Sequence, residues 1–284
     1  MKQIVIISGK GGTGKTVVAA SFAALVKNKV MADCDVDAPN LHLILKPEIL
    51  ESHPFPSGFE VIKDESKCNQ CGKCQKVCRF NAISDDFVID SVACEACGVC
   101  VEVCPQQALR LVPKVSGTTY LSRTKYGPFS HAKLGIAEEN SGKLVSEVRK
   151  NAVKMAEEGN KDLIIIDGPP GIGCPVIASV TGANLALIVT EPTLSGIWDL
   201  ERALELTRHF QIKTLVCINK YDLNLKNSKN IEKFCKESRI EIAGRIPFDS
   251  QVTKAMVQGK SIMEYPGSPP AKEIEEMWER VRRE

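Results

Sequence analysis

Residues 9–16 combine glycines, two lysines and hydroxyl side chains in a spacing that suits phosphate binding. In order they are Gly9, Lys10, Gly11, Gly12, Thr13, Gly14, Lys15 and Thr16. They satisfy the pattern G-x-x-x-x-G-K-[ST], after an apolar stretch and before a helical one. Glycines allow successive backbone N–H groups to turn toward phosphate oxygens. We therefore predict that the loop binds a nucleoside triphosphate, with Lys15 at its β- and γ-phosphates and Thr16 at Mg²⁺.

A carboxylate follows a second apolar stretch. Asp167 comes directly after residues 163–166 and precedes the glycine- and proline-rich segment 168–173. In P-loop proteins a carboxylate at this point holds Mg²⁺ directly or through water. The segment after it is predicted to be a turn that senses the γ-phosphate.

Eight of the twelve cysteines lie between residues 68 and 104, in two runs of equal spacing. The pattern C-x₂-C-x₂-C-x₃-C occurs at Cys68, Cys71, Cys74 and Cys78, and again at Cys94, Cys97, Cys100 and Cys104. The repeat extends past the cysteines, because Ala82 and Ala108 follow the two runs at the same offset. Cysteines clustered in this way, in a chain without an export signal, indicate metal binding.

This spacing resembles that of the bacterial two-cluster ferredoxins throughout residues 60–112. The resemblance implies two [4Fe-4S] clusters, with the fourth cysteine of each run binding the cluster of the other run. Cluster 1 is then expected on Cys68, Cys71, Cys74 and Cys104, and cluster 2 on Cys94, Cys97, Cys100 and Cys78. Zinc is the alternative, because four cysteines also bind zinc. Arg79 departs from the ferredoxin pattern, in which proline commonly follows the fourth cysteine.

The two lysines of the phosphate loop resemble those of the deviant Walker A ATPases, the group of MinD, ParA, Mrp and the nitrogenase iron protein. The resemblance implies an ATP-dependent homodimer in which Lys10 contacts the nucleotide of the partner chain; a solvated surface lysine is the alternative. Asp33, Asp35 and Asp37 alternate, so they share one face if the strand continues. The resemblance assigns the water-positioning role to Asp35. Asp37 could substitute, or all three could cap the strand end. The predicted catalytic residues are Lys10, Lys15 and Asp35.

A later segment bears on the choice of base. Residues 219–222 match N-K-x-D, a guanine-reading motif in other P-loop proteins. The deviant Walker A group instead uses an asparagine near this point and a proline-containing segment around adenine. In this sequence these residues are Asn219 and Pro247, and ATP is expected rather than GTP.

Four cysteines lie outside the two runs. Cys174 follows Asp167 by seven residues, the offset at which the nitrogenase iron protein carries a cluster-binding cysteine. One hypothesis is that Cys174 lies near the dimer interface and contacts redox chemistry; the alternative is a small residue packed beside the turn. Cys34, Cys217 and Cys235 are expected to be core or surface thiols.

Alternating strands and helices must position these residues. Strands are predicted at 1–7, 29–33, 163–166, 185–189 and 214–218, and helices at 16–26, 141–158, 195–209, 228–238 and 270–284. The alternation predicts an α/β fold, a mostly parallel sheet with helices on both faces, and the resemblance implies a P-loop NTPase of the SIMIBI type. Residues 46–60 are rich in Pro, Ser and Gly and are predicted to be a linker. We expect the first part of the ATPase domain at 1–59, an inserted small α+β ferredoxin-like domain at 60–112, and the second part at 113–284.

Composition narrows the range of partners. The net charge is only +2, which argues against a nucleic-acid partner. The last predicted helix carries Ile274, Met277, Trp278 and Val281 on one face, and its acidic opposite face favours core packing over membrane binding. The sequence shows neither an export signal nor an apolar run of membrane-spanning length, so a cytoplasmic protein without a membrane partner is expected.

Together these features predict an ATPase in which nucleotide-driven dimerisation gates electron delivery from two [4Fe-4S] clusters to a redox protein. A second candidate is an iron–sulfur assembly or carrier ATPase of the Mrp type that serves an apo-acceptor, although residues 113–284 lack the C-x-x-C pair of those relatives. The third candidate, a spatial switch of the MinD/ParA type, needs a membrane or DNA surface. The last helix and the net charge do not favour either surface.

Overall fold

The structure, a computed structural model, describes residues 1–135 and 142–284, which form two compact units. The first unit contains Met1–His53, Thr119–Lys133 and residues 142–284. The second unit contains Pro54–Thr118 together with Leu134 and Gly135.

The strands of the described residues form a sheet in the order β3-β4-β5-β2-β6-β1-β7-β8-β9. The strands are β1 Lys2–Ser8, β2 Lys29–Asp33, β3 Glu48–Lys63, β4 Leu109–Thr124, β5 Gly127–Leu134, β6 Leu163–Pro170, β7 Leu185–Thr190, β8 Lys213–Asn219 and β9 Glu241–Ile246. Each strand is parallel to its neighbour in the run β5-β2-β6-β1-β7-β8-β9.

Ten α-helices accompany the strands in the described residues. They are α1 Lys15–Leu25, α2 Leu41–Leu45, α3 Lys73–Val77, α4 Val99–Glu102, α5 Lys143–Glu158, α6 Cys174–Val180, α7 Leu194–His209, α8 Leu225–Glu237, α9 Ser250–Val257 and α10 Pro269–Arg283. The predicted helices from residue 195 onward match α7, α8 and α10 to within a few residues. The helix predicted at 141–158 matches α5, and residue 141 itself lies outside the described residues.

Both faces of the parallel sheet are covered by helices. Ile4 and Ile6 of β1 belong to a buried core that also contains Phe22 of α1 and Ile274 of α10. Ile7 faces the opposite way, because a Cβ atom at Gly168 would lie 2.8 Å from Ile7 Cγ2 and 3.3 Å from Ser179 Oγ of α6. The prediction of a mostly parallel α/β sheet with helices on both faces is confirmed.

The linker predicted at 46–60 is wrong, because β3 runs through most of it. Pro54 and Pro56 are two residues apart, so their missing N–H groups point to the same side of the strand. β3 is the first strand in the sheet order and therefore has a free edge. Proline is tolerated on such an edge, since no ladder hydrogen bond is lost there.

The turn predicted at 168–173 begins later than expected. β6 continues through Pro170, so the first three residues of the segment are strand residues. The chain bends at Gly171, whose φ of 92° lies in the left-handed region. The segment before Cys174 is therefore shorter than predicted.

The second unit repeats the same backbone features in its two cysteine runs. Gly72 precedes α3 with a φ of 71°, and Gly98 precedes α4 with a φ of 80°. Neither helix contributes a fully buried residue. The duplication seen in the sequence is thus also a duplication of local conformation.

The last helix packs into the core of the first unit, as predicted. Ile274, Met277 and Val281 are fully buried, and the ring of Trp278 lies 4.9 Å from that of Phe22 between centroids. Within residues 1–135 and 142–284, no helix has the length and apolar character that a bilayer crossing demands.

Replacing Ile274 by alanine tests the contribution of this helix. We expect Ile274→Ala to lower the free energy of unfolding by about 2–5 kcal/mol, because it leaves a cavity in a fully buried site. Urea denaturation followed by circular dichroism measures the change. The neighbouring exposed Glu275, replaced by alanine, should change the same quantity by less than about 0.5 kcal/mol. Equal effects of the two substitutions would contradict this packing.

Candidate functional site

The phosphate loop connects the end of β1 to the start of α1, so its backbone N–H groups lie at a helix N-terminus. Gly12 and Gly14 have φ angles of 79° and 99°, in the left-handed region. A Cβ atom at residue 14 would lie 2.2 Å from Nδ2 of Asn219. This amide donates a hydrogen bond of 2.7 Å to the carbonyl oxygen of Thr13. Glycine at 14 thus leaves room for Asn219 to fasten the loop.

A cavity of about 600 Å³ lies over the loop, within the size range of small-molecule sites. The predicted site residues that line it are Gly11, Gly12, Gly14, Lys15, Thr16, Asp35 and Asn219. Gly9, Lys10 and Thr13 belong to the same loop but do not line the cavity. Val252 and Met256 of α9 make part of the wall apolar. The structure therefore brings phosphate-binding residues, Asp35 and Asn219 around one cavity.

Lys15 and Asp35 are oppositely charged neighbours in this cavity. The Lys15 Nζ atom lies 3.8 Å from Asp35 Oδ2, and the two side chains are only 6% and 12% exposed. Burial raises the pKa of Asp35, and the ammonium of Lys15 partly lowers it again. Both effects leave a carboxylate whose proton affinity is higher than that of a surface aspartate.

The three alternating aspartates do not share a strand face. β2 ends at Asp33, which is buried and accepts hydrogen bonds from the backbone N–H groups of Asp35 and Leu41. Burial, followed by the charges of Asp167 and Asp35, raises the pKa of Asp33. Asp37 is exposed. Asp33 therefore stabilises the turn that places Asp35 in the cavity. The water-positioning role of Asp35 stays a prediction.

Asp167 lies in β6, opposite Asp33 in the β2 ladder. Both carboxylate oxygens are buried, and within the described residues neither accepts a hydrogen bond of standard geometry. Burial raises the pKa of Asp167 from 3.8 to about 6, although the charge of Lys15 and the nearby hydroxyl of Thr16 partly lower it. Buried carboxylate oxygens beside a threonine hydroxyl are ligands that a hard cation such as Mg²⁺ prefers. The donor set fits Mg²⁺, with Asp167 and Thr16 as candidate ligands.

Lys10 is held by residues of its own chain that follow β7. Its Nζ atom lies 2.8 Å from Glu191 Oε1, 3.0 Å from Thr193 Oγ1 and 2.8 Å from Ser195 Oγ. The second carboxylate oxygen of Glu191 lies 3.2 Å from Lys220 Nζ. Glu191 was not predicted, although residues that follow a parallel strand often reach a ligand site. The predicted contact of Lys10 with a nucleotide in a partner chain stays a prediction.

The side chains of Asn219 and Asp222 in the N-K-x-D segment accept hydrogen bonds from backbone N–H groups. Asn219 Oδ1 accepts a hydrogen bond of 3.0 Å from the N–H of Lys220, and Asp222 Oδ1 accepts one of 2.7 Å from the N–H of Phe248. The second bond ties the turn after β8 to the segment after β9. Pro247 in that segment is half-buried and does not line the cavity. The structure does not bring Pro247 to the phosphate loop, and its contact with adenine stays a prediction.

The eight clustered cysteines line two small cavities within the second unit. The first cavity is lined by Cys68, Cys71, Cys74 and Cys104. The second is lined by Cys78, Cys94, Cys97 and Cys100. Each cavity takes three cysteines from one run and the fourth from the other, the grouping that the ferredoxin resemblance implies. The role of these thiols as cluster ligands stays a prediction.

The thiols of each cavity are close enough to affect one another. Burial raises the pKa of Cys74 and of Cys100, and neighbouring cysteines of the same run raise each further. Four converging thiols are the donor set of a [4Fe-4S] cluster, so the residues present fit that group. Across residues 1–135 and 142–284, no three His, Cys, Asp or Glu side chains form a group that could hold a single metal ion.

The other four cysteines divide into two kinds. Cys34, Cys217 and Cys235 are buried, so they are core thiols. Cys174 begins α6 and is exposed, which does not match the alternative of a small residue packed beside the turn. Its predicted place near a dimer interface stays a prediction.

Comparison with known proteins identifies the family. Residues 4–262 match the family described as the CobQ/CobB/MinD/ParA nucleotide binding domain. The chain belongs to this family. The MinD/ParA-type domain is a nucleotide-binding ATPase domain, so the phosphate loop and its cavity belong to an ATPase.

Three similar proteins illustrate the range of this family. An uncharacterized protein of Methanocaldococcus jannaschii is 36% identical over 285 residues, covering 99% of this chain and 96% of that protein. An iron-sulfur cluster carrier protein of Pyrococcus horikoshii is 24% identical over 300 residues, covering 98% and 85%. The septum site-determining protein MinD of Pyrococcus horikoshii, solved with Mg-ADP, has a TM-score of 0.61 at 18% identity, covering 99% and 95%. The last likeness shows that the MinD/ParA-type chain shares the MinD fold.

Replacing Gly14 by alanine tests the fastening of the phosphate loop. We expect Gly14→Ala to weaken Mg-ATP binding at least about tenfold, because the new Cβ displaces Asn219 and strains a left-handed residue. Isothermal titration calorimetry measures the affinity. Gly182 is also left-handed but has open space around its Cβ position. Gly182→Ala should therefore leave the affinity unchanged, and a similar loss in both variants would argue against a specific role for the Asn219 contact.

Replacing Asp167 by asparagine tests the magnesium site. The folded pKa of about 6 exceeds the ordinary 3.8, so stability is lost as pH rises through this range and the ionised carboxylate is destabilising above it. At pH 8 without Mg²⁺, Asp167→Asn should therefore raise the thermal midpoint, and the variant should lose the stabilisation that Mg-ADP gives the wild type. Differential scanning fluorimetry measures both quantities. The exposed Asp86, changed to asparagine, should alter neither, and a lower midpoint for Asp167→Asn would refute the argument.

Proposed function

We propose that this MinD/ParA-type ATPase carries two [4Fe-4S] clusters and that its nucleotide state gates electron transfer from them to a redox protein. The observation that carries the proposal is the arrangement of eight cysteines around two cavities, four at each, within one short unit. Nucleotide binding and hydrolysis do not require these eight cysteines. Cysteine thiolates in such groups hold iron–sulfur clusters, which exchange single electrons.

The nucleotide half of the proposal assigns a role to each residue around the phosphate loop. The loop amides and Lys15 bind the β- and γ-phosphates, and Thr16 with Asp167 holds Mg²⁺. Asp35, buried beside Lys15, orients the attacking water. The apolar wall at α9 suits an adenine ring. In a homodimer formed with ATP, Lys10 leaves Glu191 and supplies positive charge to the nucleotide of the partner chain.

The cluster half assigns the cysteines by cavity. Cys68, Cys71, Cys74 and Cys104 would hold cluster 1, and Cys78, Cys94, Cys97 and Cys100 would hold cluster 2. The backbone N–H of Ala82 lies 3.4 Å from Cys78 Sγ, and that of Ala108 lies 3.3 Å from Cys104 Sγ. Hydrogen bonds of this kind favour the thiolate form and tune cluster potentials. The proposed domain limits of this ferredoxin-like insert are residues 60–112.

Two other functions are supported by specific observations. The family match and the MinD fold favour a MinD/ParA-like switch, and they do so more directly than they favour electron transfer. The resemblance to a protein named as an iron-sulfur cluster carrier favours cluster delivery to an apo-acceptor. Both alternatives keep the ATPase site described above, so measurements on the cysteines decide among the three.

Anaerobic purification followed by metal and ATPase analysis tests the proposal. We expect about eight irons and eight sulfides per chain, and an ATPase rate that differs between the oxidised and dithionite-reduced protein. Cys71→Ser should remove iron without removing nucleotide binding. Lys15→Ala should abolish ATP hydrolysis with the iron retained, whereas replacement of the exposed Lys27 by alanine should change neither.

Each contrary outcome points to a different conclusion. Zinc in place of iron, or no metal, would overturn the cluster half. Equal ATP turnover in both redox states, with electron transfer that ignores nucleotide, would overturn the coupling and leave the MinD/ParA-like switch. Quantitative loss of iron and sulfide to an added apo-ferredoxin would support the carrier function instead.

A further inference from the structure

The two cysteine cavities differ sharply in the side chains around them. The first cavity is lined by two lysines, Lys63 and Lys73, and by no carboxylate. Three side-chain amides, from Asn69, Gln70 and Gln106, complete its polar surroundings. All five groups can present positive charge or hydrogen-bond donors to a bound cluster.

The second cavity has the opposite character. Its lining contains one carboxylate, Glu95, and no basic side chain, because the exposed Arg79 that follows Cys78 does not line it. Most of the remaining wall is apolar, with Val61, Phe80, Ile83 and Val99 among the lining residues. Each cavity has one exposed cysteine, Cys71 in the first and Cys97 in the second, so exposure of the thiols does not distinguish them.

Of the two lysines that line the first cavity, Lys63 has the less exposed side chain, and a hydrogen bond holds its ammonium group in place. Its ammonium donates a hydrogen bond of 2.7 Å to the carbonyl oxygen of Phe87, and the side chain is only 12% exposed. It also lies 3.0 Å from a carboxylate oxygen of Glu65, whose side chain is 78% exposed. Water screens the charge of Glu65 more strongly than that of the sheltered ammonium. Lys63 therefore keeps a net positive influence on the first cavity, and exposed Lys73 adds a weaker one.

Reduction adds one negative charge to a [4Fe-4S] cluster, so its surroundings decide how readily that charge is accepted. Nearby positive charge and hydrogen-bond donors stabilise the reduced state, whereas a carboxylate and an apolar wall destabilise it. All three differences between the cavities act in the same direction. Charge, donor groups and polarity each favour reduction in the first cavity.

We propose that the cluster bound in the first cavity has the higher reduction potential, so that electrons pass from the second cavity to the first. In this step the reduced cluster 2 gives up one electron and is oxidised, and the oxidised cluster 1 accepts it and is reduced. A one-electron donor of low potential, such as a reduced iron–sulfur protein, re-reduces cluster 2. The acceptor then takes its electron from cluster 1. This inference rests on the proposed function, because it requires both clusters to be present.

A redox titration of the full chain, followed by electron paramagnetic resonance with dithionite as the reductant, tests the order. We expect two separate one-electron waves. Lys63→Gln should shift only the higher wave, to lower potential, because it removes positive charge from the first cavity. Glu95→Gln should shift only the lower wave, to higher potential. Together the two variants assign each wave to a cavity.

Lys114→Gln is the matched control. Lys114 lies in β4, five residues beyond Leu109, which lines the first cavity. That separation is about 16 Å along an extended strand, about twice the Debye length in physiological salt. Both waves should stay in place in this variant. Iron content is measured in every variant, so that loss of a cluster is not mistaken for a shift.

The possible failures can be told apart. A preparation without two iron–sulfur clusters would overturn the proposed function itself. Two clusters that titrate in one unresolved wave, or a Lys63→Gln variant that shifts the lower wave, would overturn only the order of potentials. A shift of both waves by Lys114→Gln would show that charge acts on the whole unit rather than through the cavity linings.

Discussion

The hydrogen bond between Asn219 and the carbonyl of Thr13 is the constraint on which the nucleotide site depends. It joins the end of β8 to the phosphate loop between β1 and α1. The parallel pairing of β2, β6, β1, β7 and β8 brings the carboxyl ends of these strands to one edge of the sheet. Lys15, Asp35, Asp167 and Asn219 come from four different segments and meet there for that reason.

The buried carboxyl groups at this edge of the sheet lower the stability of the folded chain. Asp33 and Asp167 are buried together, and Lys15 is the cation that the described residues place close to Asp35. Burial raises the pKa of all three carboxyl groups, which means that their charged forms are unfavourable without a cation. Concentrated negative charge of this kind is unfavourable for folding but suits Mg²⁺ binding. The three carboxyl groups therefore lower the stability of the fold when no cation is bound. The same negative charge favours binding of a magnesium nucleotide.

The second unit rests on a different kind of interaction. Its helices α3 and α4 have five and four residues and contribute no fully buried side chain. A segment with so small a core gains little free energy from apolar burial. Under the proposed function, metal ligation by thiols from both runs supplies the missing stabilisation and ties the two halves of the repeat together. Folding of this unit and cluster binding would then be one event.

The sequence by itself determined the phosphate loop, the duplicated cysteine run and the buried strands β1, β2, β6, β7 and β8, because each depends on residue types at short, fixed spacings. The prediction of a linker in place of the edge strand β3 was wrong. Proline and serine are typical of loops in a local stretch of sequence, but a free sheet edge tolerates them within a strand. Only the tertiary structure buried Asp35 beside Lys15, left Asp37 exposed in the lining of the same cavity and brought Glu191 to Lys10, because those relations depend on where strands end and which segments meet. The different surroundings of the two cysteine cavities have both origins: Lys73 and Glu95 lie inside the cysteine runs and are visible in the sequence, whereas the fold brings Lys63 to the first cavity and Val61 to the second.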